Sequence, residues 1–130
     1  VAFIGFNITQ QIEHHKNSLR TIDSNAGLVI TGSLDKTCGI FIKQDGKYSF
    51  VHSLDNHTDF VYKVLFLSNT FGMLSCGKDK RIIQYDLELN QVAEYIGHES
   101  PVNSLSYNKS NPNIFISGSW DGTAKVWDLS

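Results

Sequence analysis

Aliphatic residues in this chain fall at fixed distances from a recurring histidine. Counting from His15, His57 and His98, one stands four positions on (Leu19, Val61, Val102) and another seven positions on (Ile22, Val64, Leu105). This register selects His15 over its neighbour His14, and it repeats at intervals of 42 and 41 residues. An offset of three cannot lie on one face of a flat strand, whose side chains alternate with period two. The pattern therefore predicts that the first aliphatic sits in a loop entering a strand and the second in the strand itself.

Further short apolar runs follow in one order within each unit: Gly27 to Thr31, Met73 to Cys76 and Ile114 to Gly118. Each leads into a tight turn carrying an aspartate: Leu34-Asp35-Lys36, Lys78-Asp79-Lys80 and Trp120-Asp121-Gly122. A third run ends on an aromatic six residues past that aspartate, at Phe41, Tyr85 and Trp127. A fourth, Tyr48 to Leu54 and Val92 to Ile96, precedes the next histidine in two units. Runs this short, bounded by turn residues and without helical periodicity, predict strands throughout. The chain reads as all-β, with repeats over 14–55, 56–96 and 97–130. Residues 1–13 are expected to supply an outer strand, Phe6 to Ile12, ahead of the first histidine. The third repeat reaches Ser130 where its own outer strand would begin.

A period near 40 residues with four short strands is the signature of a propeller blade. The closing segment Ser117-Gly118-Ser119-Trp120-Asp121-Gly122-Thr123-Ala124-Lys125-Val126-Trp127-Asp128 resembles the WD-repeat family. The resemblance implies a β-propeller fragment of three WD-type blades, the third lacking its outer strand. A propeller ring needs at least four blades, so the chain is expected to be part of a larger propeller. Its opening on Val1, with neither Met nor a leader, fits excision from something longer.

Each repeat also carries a hydroxyl, an imidazole and a carboxylate: Thr31, His15 and Asp35; Ser75, His57 and Asp79; Ser117, His98 and Asp121. Alone, the last two sets would pass for hydrolase triads. Three observations oppose catalysis. The set occurs once per repeat, one copy uses Thr, and no Gly-x-Ser-x-Gly elbow or oxyanion-hole turn surrounds the serines. In the blade reading the set is structural. The turn aspartate accepts from the imidazole, the imidazole engages the hydroxyl, and the hydroxyl takes the indole N–H of the third-strand Trp. Only the third repeat supplies that donor, with Trp127. Tyr85 reaches farther and Phe41 cannot donate, so the first two blades are expected to be less firmly tied. No catalytic residue is assigned.

Composition narrows the remaining classes. The net charge is −2, and two Arg (Arg20, Arg81) with nine Lys form no basic cluster, which speaks against nucleic acid. No apolar run approaches a membrane span, since Lys63 interrupts Phe60 to Leu67. Cys38 and Cys76 fall in expected strands of different blades and read as small buried hydrophobes in a reducing compartment. His14 and His52 stand outside the register without partners at metal spacing, so neither metal nor cofactor is expected.

Within the WD-repeat family, the stretch from His98 through Val102-Asn103-Ser104-Leu105-Ser106 to Trp127 is similar to the third repeat of the phospholipase-A2-activating-protein family. That resemblance implies a ubiquitin-binding adaptor of the cytosol and nucleus, with a hexameric unfoldase bound through downstream domains absent from this chain. The alternative is a scaffold in a ubiquitin ligase, an RNA-processing particle or a signalling assembly. The family's usual binding surface lies where loops and turns converge around the axis. Leu34, Lys78 and Trp120, each preceding a turn aspartate, point there, with Asp59, Phe60 and Ser100 beside them. An exposed Trp among aliphatic and charged groups has the composition of a binding hot spot. Packing against Pro101 or an adjoining blade is the competing expectation for Trp120.

Overall fold

The computed structural model describes residues 5, 7–68 and 72–130. Three antiparallel sheets follow one another along the chain. Blade 1 comprises β1 (Leu19–Asn25), β2 (Leu28–Ser33), β3 (Cys38–Gln44) and β4 (Lys47–Leu54). Blade 2 comprises β5 (Val61–Phe66), β6 (Met73–Gly77), β7 (Ile82–Tyr85) and β8 (Gln91–Tyr95). Blade 3 has three strands, β9 (Val102–Tyr107), β10 (Ile114–Ser119) and β11 (Ala124–Asp128). The chain is an all-β propeller segment, with one blade short of an outer strand. The third strand of blade 1 runs past Phe41 to Gln44, farther than the expected end on the aromatic.

The offset of three between the paired aliphatics has a different cause from the expected loop residue. Leu19, Val61 and Val102 open their strands, and a β-bulge follows at once in every blade. Pairing shifts between Leu19 and Thr21, between Val61 and Lys63, and opposite Val102 where it crosses Gly118 and Ser119. The extra residue resets the alternation. Val61 and Val64 consequently enter the same core.

Two apolar layers hold the three sheets together. Between blades 1 and 2 lie Ile30, Cys38, Ile40 and Leu54, packed against Val61, Val64, Met73 and Tyr85. Leu74, Cys76 and Ile82 meet Val102, Leu105 and Phe115 between blades 2 and 3. Alternation along β6 explains the division: Met73 and Ser75 face one neighbour, Leu74 and Cys76 the other. Both cysteines are buried and free. Desolvation pushes the Cys38 thiol up to about 12 and raises Cys76 as well, which leaves neither a reactive thiolate.

Blade 1 also reaches across to the exposed backbone edge of β5. The Thr21 hydroxyl accepts from Val64 N–H at 3.2 Å, and the Asp23 carboxylate from Phe66 N–H at 2.8 Å. These side chains satisfy donors that a strand edge would otherwise present to solvent. Lys63 and Leu65 occupy the corresponding positions of β5, and Leu65 joins the apolar layer toward blade 3. There the polar tie is Tyr107, whose hydroxyl accepts from Ser68 N–H at 3.2 Å and donates to Pro112 O at 3.0 Å.

The outer strand expected over Phe6 to Ile12 is not found among its described residues. Residues 7–12 carry no strand, and Phe6 lies outside the described residues. A strand needs a partner ladder, and none of the three sheets pairs with residues 7–12. A side chain substitutes for the backbone instead. The Gln10 amide donates to Tyr48 O at 2.6 Å and accepts from Tyr48 N–H at 2.9 Å, pairing at the outer edge of β4. Two residues on from Ile12, the His14 ring stacks on Phe50 at 4.1 Å between centroids.

Candidate functional site

The three hydroxyl–imidazole–carboxylate sets assemble in the same geometry. His15, His57 and His98 bring Nδ1 to Asp35, Asp79 and Asp121 at 2.8, 2.8 and 2.9 Å. Their Nε2 atoms meet Thr31, Ser75 and Ser117 at 2.6, 2.7 and 2.6 Å. In each set Nδ1 faces the carboxylate, to which it donates, and Nε2 shares a hydrogen bond with the hydroxyl. The aspartate also accepts from the backbone N–H just past the histidine: Lys16, Thr58 and Glu99. One carboxylate thus pins the loop before the first strand to the turn after the second.

The last link differs between blades. In blade 3 the Trp127 indole donates to Ser117 Oγ at 2.8 Å. In blade 2 the Tyr85 and Ser75 oxygens stand 3.5 Å apart, the limit of a hydrogen bond. Phe41 fills the position in blade 1, where Thr31 finds only Gly39 O at 3.4 Å.

Hydrogen bonding keeps the carboxylates ionised. Burial opposes the charge of Asp35, but donors from Thr37, His15 and Lys16 outweigh it and hold the carboxyl down at about 2. Asp79 is lowered in the same way, burial being overcome chiefly by His57. Thr123 is the main cause of the lowered Asp121; burial opposes it, and His98 adds to the lowering. The hydroxyls themselves are inaccessible: Thr31, Ser75 and Ser117 are 3%, 0% and 1% exposed. No substrate carbonyl can approach atoms so enclosed, and this is a non-catalytic scaffold geometry.

The accessible chemistry lies on the loop face, at the turns. Trp120 is 61% exposed. Its backbone N–H donates to Pro101 O at 3.1 Å, while its ring lies against Tyr62 of blade 2, 5.8 Å between centroids. With its amide oxygen turned toward the indole, the orientation that satisfies both of its ends, Asn103 accepts from the Trp120 N–H at 3.0 Å and donates to Gly118 O at 3.2 Å. Trp120 therefore packs on the adjoining blade with one face and offers the other to solvent. Tyr62 in turn meets Phe60 at 6.4 Å, and Lys78 Nζ stands 5.1 Å over the Phe60 ring. Arg20 covers Tyr62 from blade 1 at 5.7 Å.

Of the six residues expected on this face, the structure joins Phe60, Lys78 and Trp120 through Tyr62. Leu34 and Ser100 are outside that set of ring contacts. Leu34 is held by its backbone bond to Ser18 O at 3.0 Å, and Ser100 O accepts from Ser119 Oγ at 3.1 Å. The Asp59 carboxylate is turned onto Phe60 N–H at 2.8 Å. Arg20, Tyr62 and Asn103 were not anticipated, although all three stand five positions past a repeat histidine. They are the residues at the bulge of each first strand, and a bulge re-aims its side chain. Here it turns three equivalent positions into one row beneath Trp120.

Fold and site together define a repeat propeller with an exposed aromatic at its loop face. The chain belongs to the WD domain, G-beta repeat family, whose model matches residues 6–41, 48–86 and 89–128. Each of the last two matched units begins near the outer strand of one blade and ends on the third strand of the next, so a sequence repeat spans adjacent blades. Ubiquitin homeostasis protein lub1 of Schizosaccharomyces pombe is 31% identical over 95% of this chain and 18% of its own length. Guanine nucleotide-binding protein subunit beta-2 of Nicotiana tabacum is 31% identical over 77% of the chain and 30% of its own. Human DDB1- and CUL4-associated factor 5 is 25% identical over 87% of the chain and 12% of its own. The chain spans less than a third of each of these relatives.

Proposed function

We propose that these blades form part of a protein-binding adaptor that binds ubiquitin through the loop face carrying Lys78, Phe60 and Trp120. The observation that carries this reading is Trp120: largely exposed, yet fixed by Asn103 and by the Tyr62 ring. A large aromatic held in place before binding loses little freedom on contact, which is how a few central residues come to dominate an interface. Similarity to lub1, named for ubiquitin homeostasis, and the likeness of the third repeat to the phospholipase-A2-activating-protein family support ubiquitin as the partner. Such an adaptor would act in the cytosol and nucleus. A hexameric unfoldase partner would engage domains beyond these residues.

The second reading is a scaffold for a different assembly, favoured by similarity to the G-protein beta subunit and the CUL4-associated factor. Titrating isotope-labelled ubiquitin with the full-length protein separates the two. The ubiquitin reading expects shifts at micromolar concentrations, and Trp120→Ala should weaken binding about tenfold, on the order of 1–2 kcal/mol, without unfolding. Absence of shifts at high micromolar protein rejects ubiquitin and leaves the scaffold.

A further inference from the structure

The row beneath Trp120 has a charge character that bears on what can occupy it. Arg20 lies over the Tyr62 ring and Lys78 over the Phe60 ring, so two aromatic faces already carry cations from this chain. A cationic ligand would find these rings occupied and would meet like charge. Neither Arg20 nor Lys78 makes a side-chain hydrogen bond or ion pair among the described residues. Arg81 is a useful contrast: its guanidinium bonds Glu94 and Asn56 O and stands 3.6 Å from Asp79.

Three neighbouring carboxylates, Asp59, Asp79 and Asp121, are committed elsewhere. Asp79 accepts from His57, Thr58 and Arg81. Asp121 receives His98 and Glu99 on one oxygen and both Thr123 donors on the other. Asp59 is turned onto Phe60 N–H. Of the flanking acids, Glu99 is exposed on the loop past His98. Arg20 on Tyr62 and Lys78 on the adjoining Phe60 thus keep their charge available, while the open face of Trp120 supplies apolar area.

We propose that this row takes an extended acidic segment of a partner protein, with an apolar or aromatic side chain on Trp120 and carboxylates on Arg20 and Lys78. The dimensions agree. Arg20 to Tyr62 and Tyr62 to Trp120 are contacts of 5.7 and 5.8 Å, a reach that roughly three extended residues cover at about 3.3 Å each. Lys78 is reached from Tyr62 across Phe60, at 6.4 and 5.1 Å. Guanidinium and ammonium are the groups that bind carboxylates by charge-assisted hydrogen bonds. The inference rests on the loop face being a binding surface, and it does not require ubiquitin to be the partner.

The test uses the full-length protein and three fluorescein-labelled peptides followed by polarisation: Asp-Glu-Phe-Glu-Asp, Asn-Gln-Phe-Gln-Asn and Lys-Lys-Phe-Lys-Lys. The acidic peptide should bind about tenfold more tightly than the neutral one, and the basic peptide most weakly. Arg20→Gln and Lys78→Gln should each weaken the acidic peptide several-fold and leave the neutral peptide unchanged, and added salt should reduce the preference. Equal binding of acidic and neutral peptides, or no response to either substitution, overturns the proposal. If no peptide binds while ubiquitin binds in a Trp120-dependent way, the acidic occupant is rejected and the binding face stands. If neither binds, both readings fall.

Discussion

Blades 1 and 3 carry the same hydroxyl–imidazole–carboxylate chain and finish it differently. Trp127 donates to Ser117 at 2.8 Å in blade 3, whereas Phe41 leaves Thr31 with Gly39 O at 3.4 Å in blade 1. The histidine–aspartate contact hardly changes, at 2.9 and 2.8 Å. The imidazole and carboxylate therefore fasten loop to turn whatever the aromatic is. The aromatic decides only whether that fastening extends to the third strand. Surroundings differ as well: Trp127 packs toward blade 2 beside Tyr95 and Phe115, while Phe41 is covered by His14 and Phe50.

The largest expected effect concerns faces rather than ties. In this chain Leu19 and Ile22 of blade 1 are 51% and 59% exposed, and Ile116 and Val126 of blade 3 are 42% and 67% exposed. Their counterparts on covered faces, such as Val61 and Val64, are buried. Sedimentation of the 130-residue chain alone should show concentration-dependent association through these faces; a monomer with a sharp, concentration-independent melt would contradict this. In the same spirit, Leu74→Ala between blades 2 and 3 should destabilise by about 2–5 kcal/mol, while Val126→Ala on the open face should stay within roughly 0.5 kcal/mol in this chain. Equal losses in urea unfolding would remove the distinction between covered and open faces.

Smaller effects sharpen the comparison at the turns. The residue after the turn aspartate has positive φ in every blade: Lys36 at 77°, Lys80 at 70° and Gly122 at 83°. Glycine adopts this conformation without strain, and a residue with a Cβ does not. Gly122→Ala should cost about 1 kcal/mol, and Lys80→Gly should stabilise by up to about 1 kcal/mol, both read from unfolding midpoints. The opposite signs would show that these turns are not limited by backbone strain.

The smallest effect near neutrality is the response to pH. Asp35 is held at about 2 in the folded chain against an ordinary 3.8, and Asp79 and Asp121 are lowered too. A carboxyl lowered by folding favours the folded state above its unfolded pKa, and that contribution disappears as pH falls toward the folded value. Stability should be insensitive to these groups above about pH 5 and decline from about pH 4 downward. Asp35→Asn should flatten part of that decline; an unchanged profile would show that the carboxylate is not linked to folding.

Much of this architecture is legible in the sequence because it is periodic. The histidine register, the turn aspartates and the third-strand aromatics mark three sheets, and the absence of an indole at Phe41 foretells a missing donor. The bulge was hidden, since an offset of three between Val61 and Val64 also suits a loop residue followed by a strand. That ambiguity concealed Arg20, Tyr62 and Asn103, which look like ordinary strand residues until the bulge turns them to the loop face. The segment over Phe6 to Ile12 misled for another reason. Its apolar pattern describes a strand, and local pattern carries no information about whether a partner ladder is at hand.

The central claim is that the repeated constellation is a structural tie, closed by a tryptophan in one blade alone. A double-mutant cycle in urea, combining Ser117→Ala with Trp127→Phe, tests it most directly. The account predicts a coupling of about 1 kcal/mol between Ser117 and Trp127, with each single variant destabilised. The matching cycle of Thr31→Val with Phe41→Leu should give a coupling near zero. Equal couplings in the two blades, or none between Ser117 and Trp127, would contradict the claim.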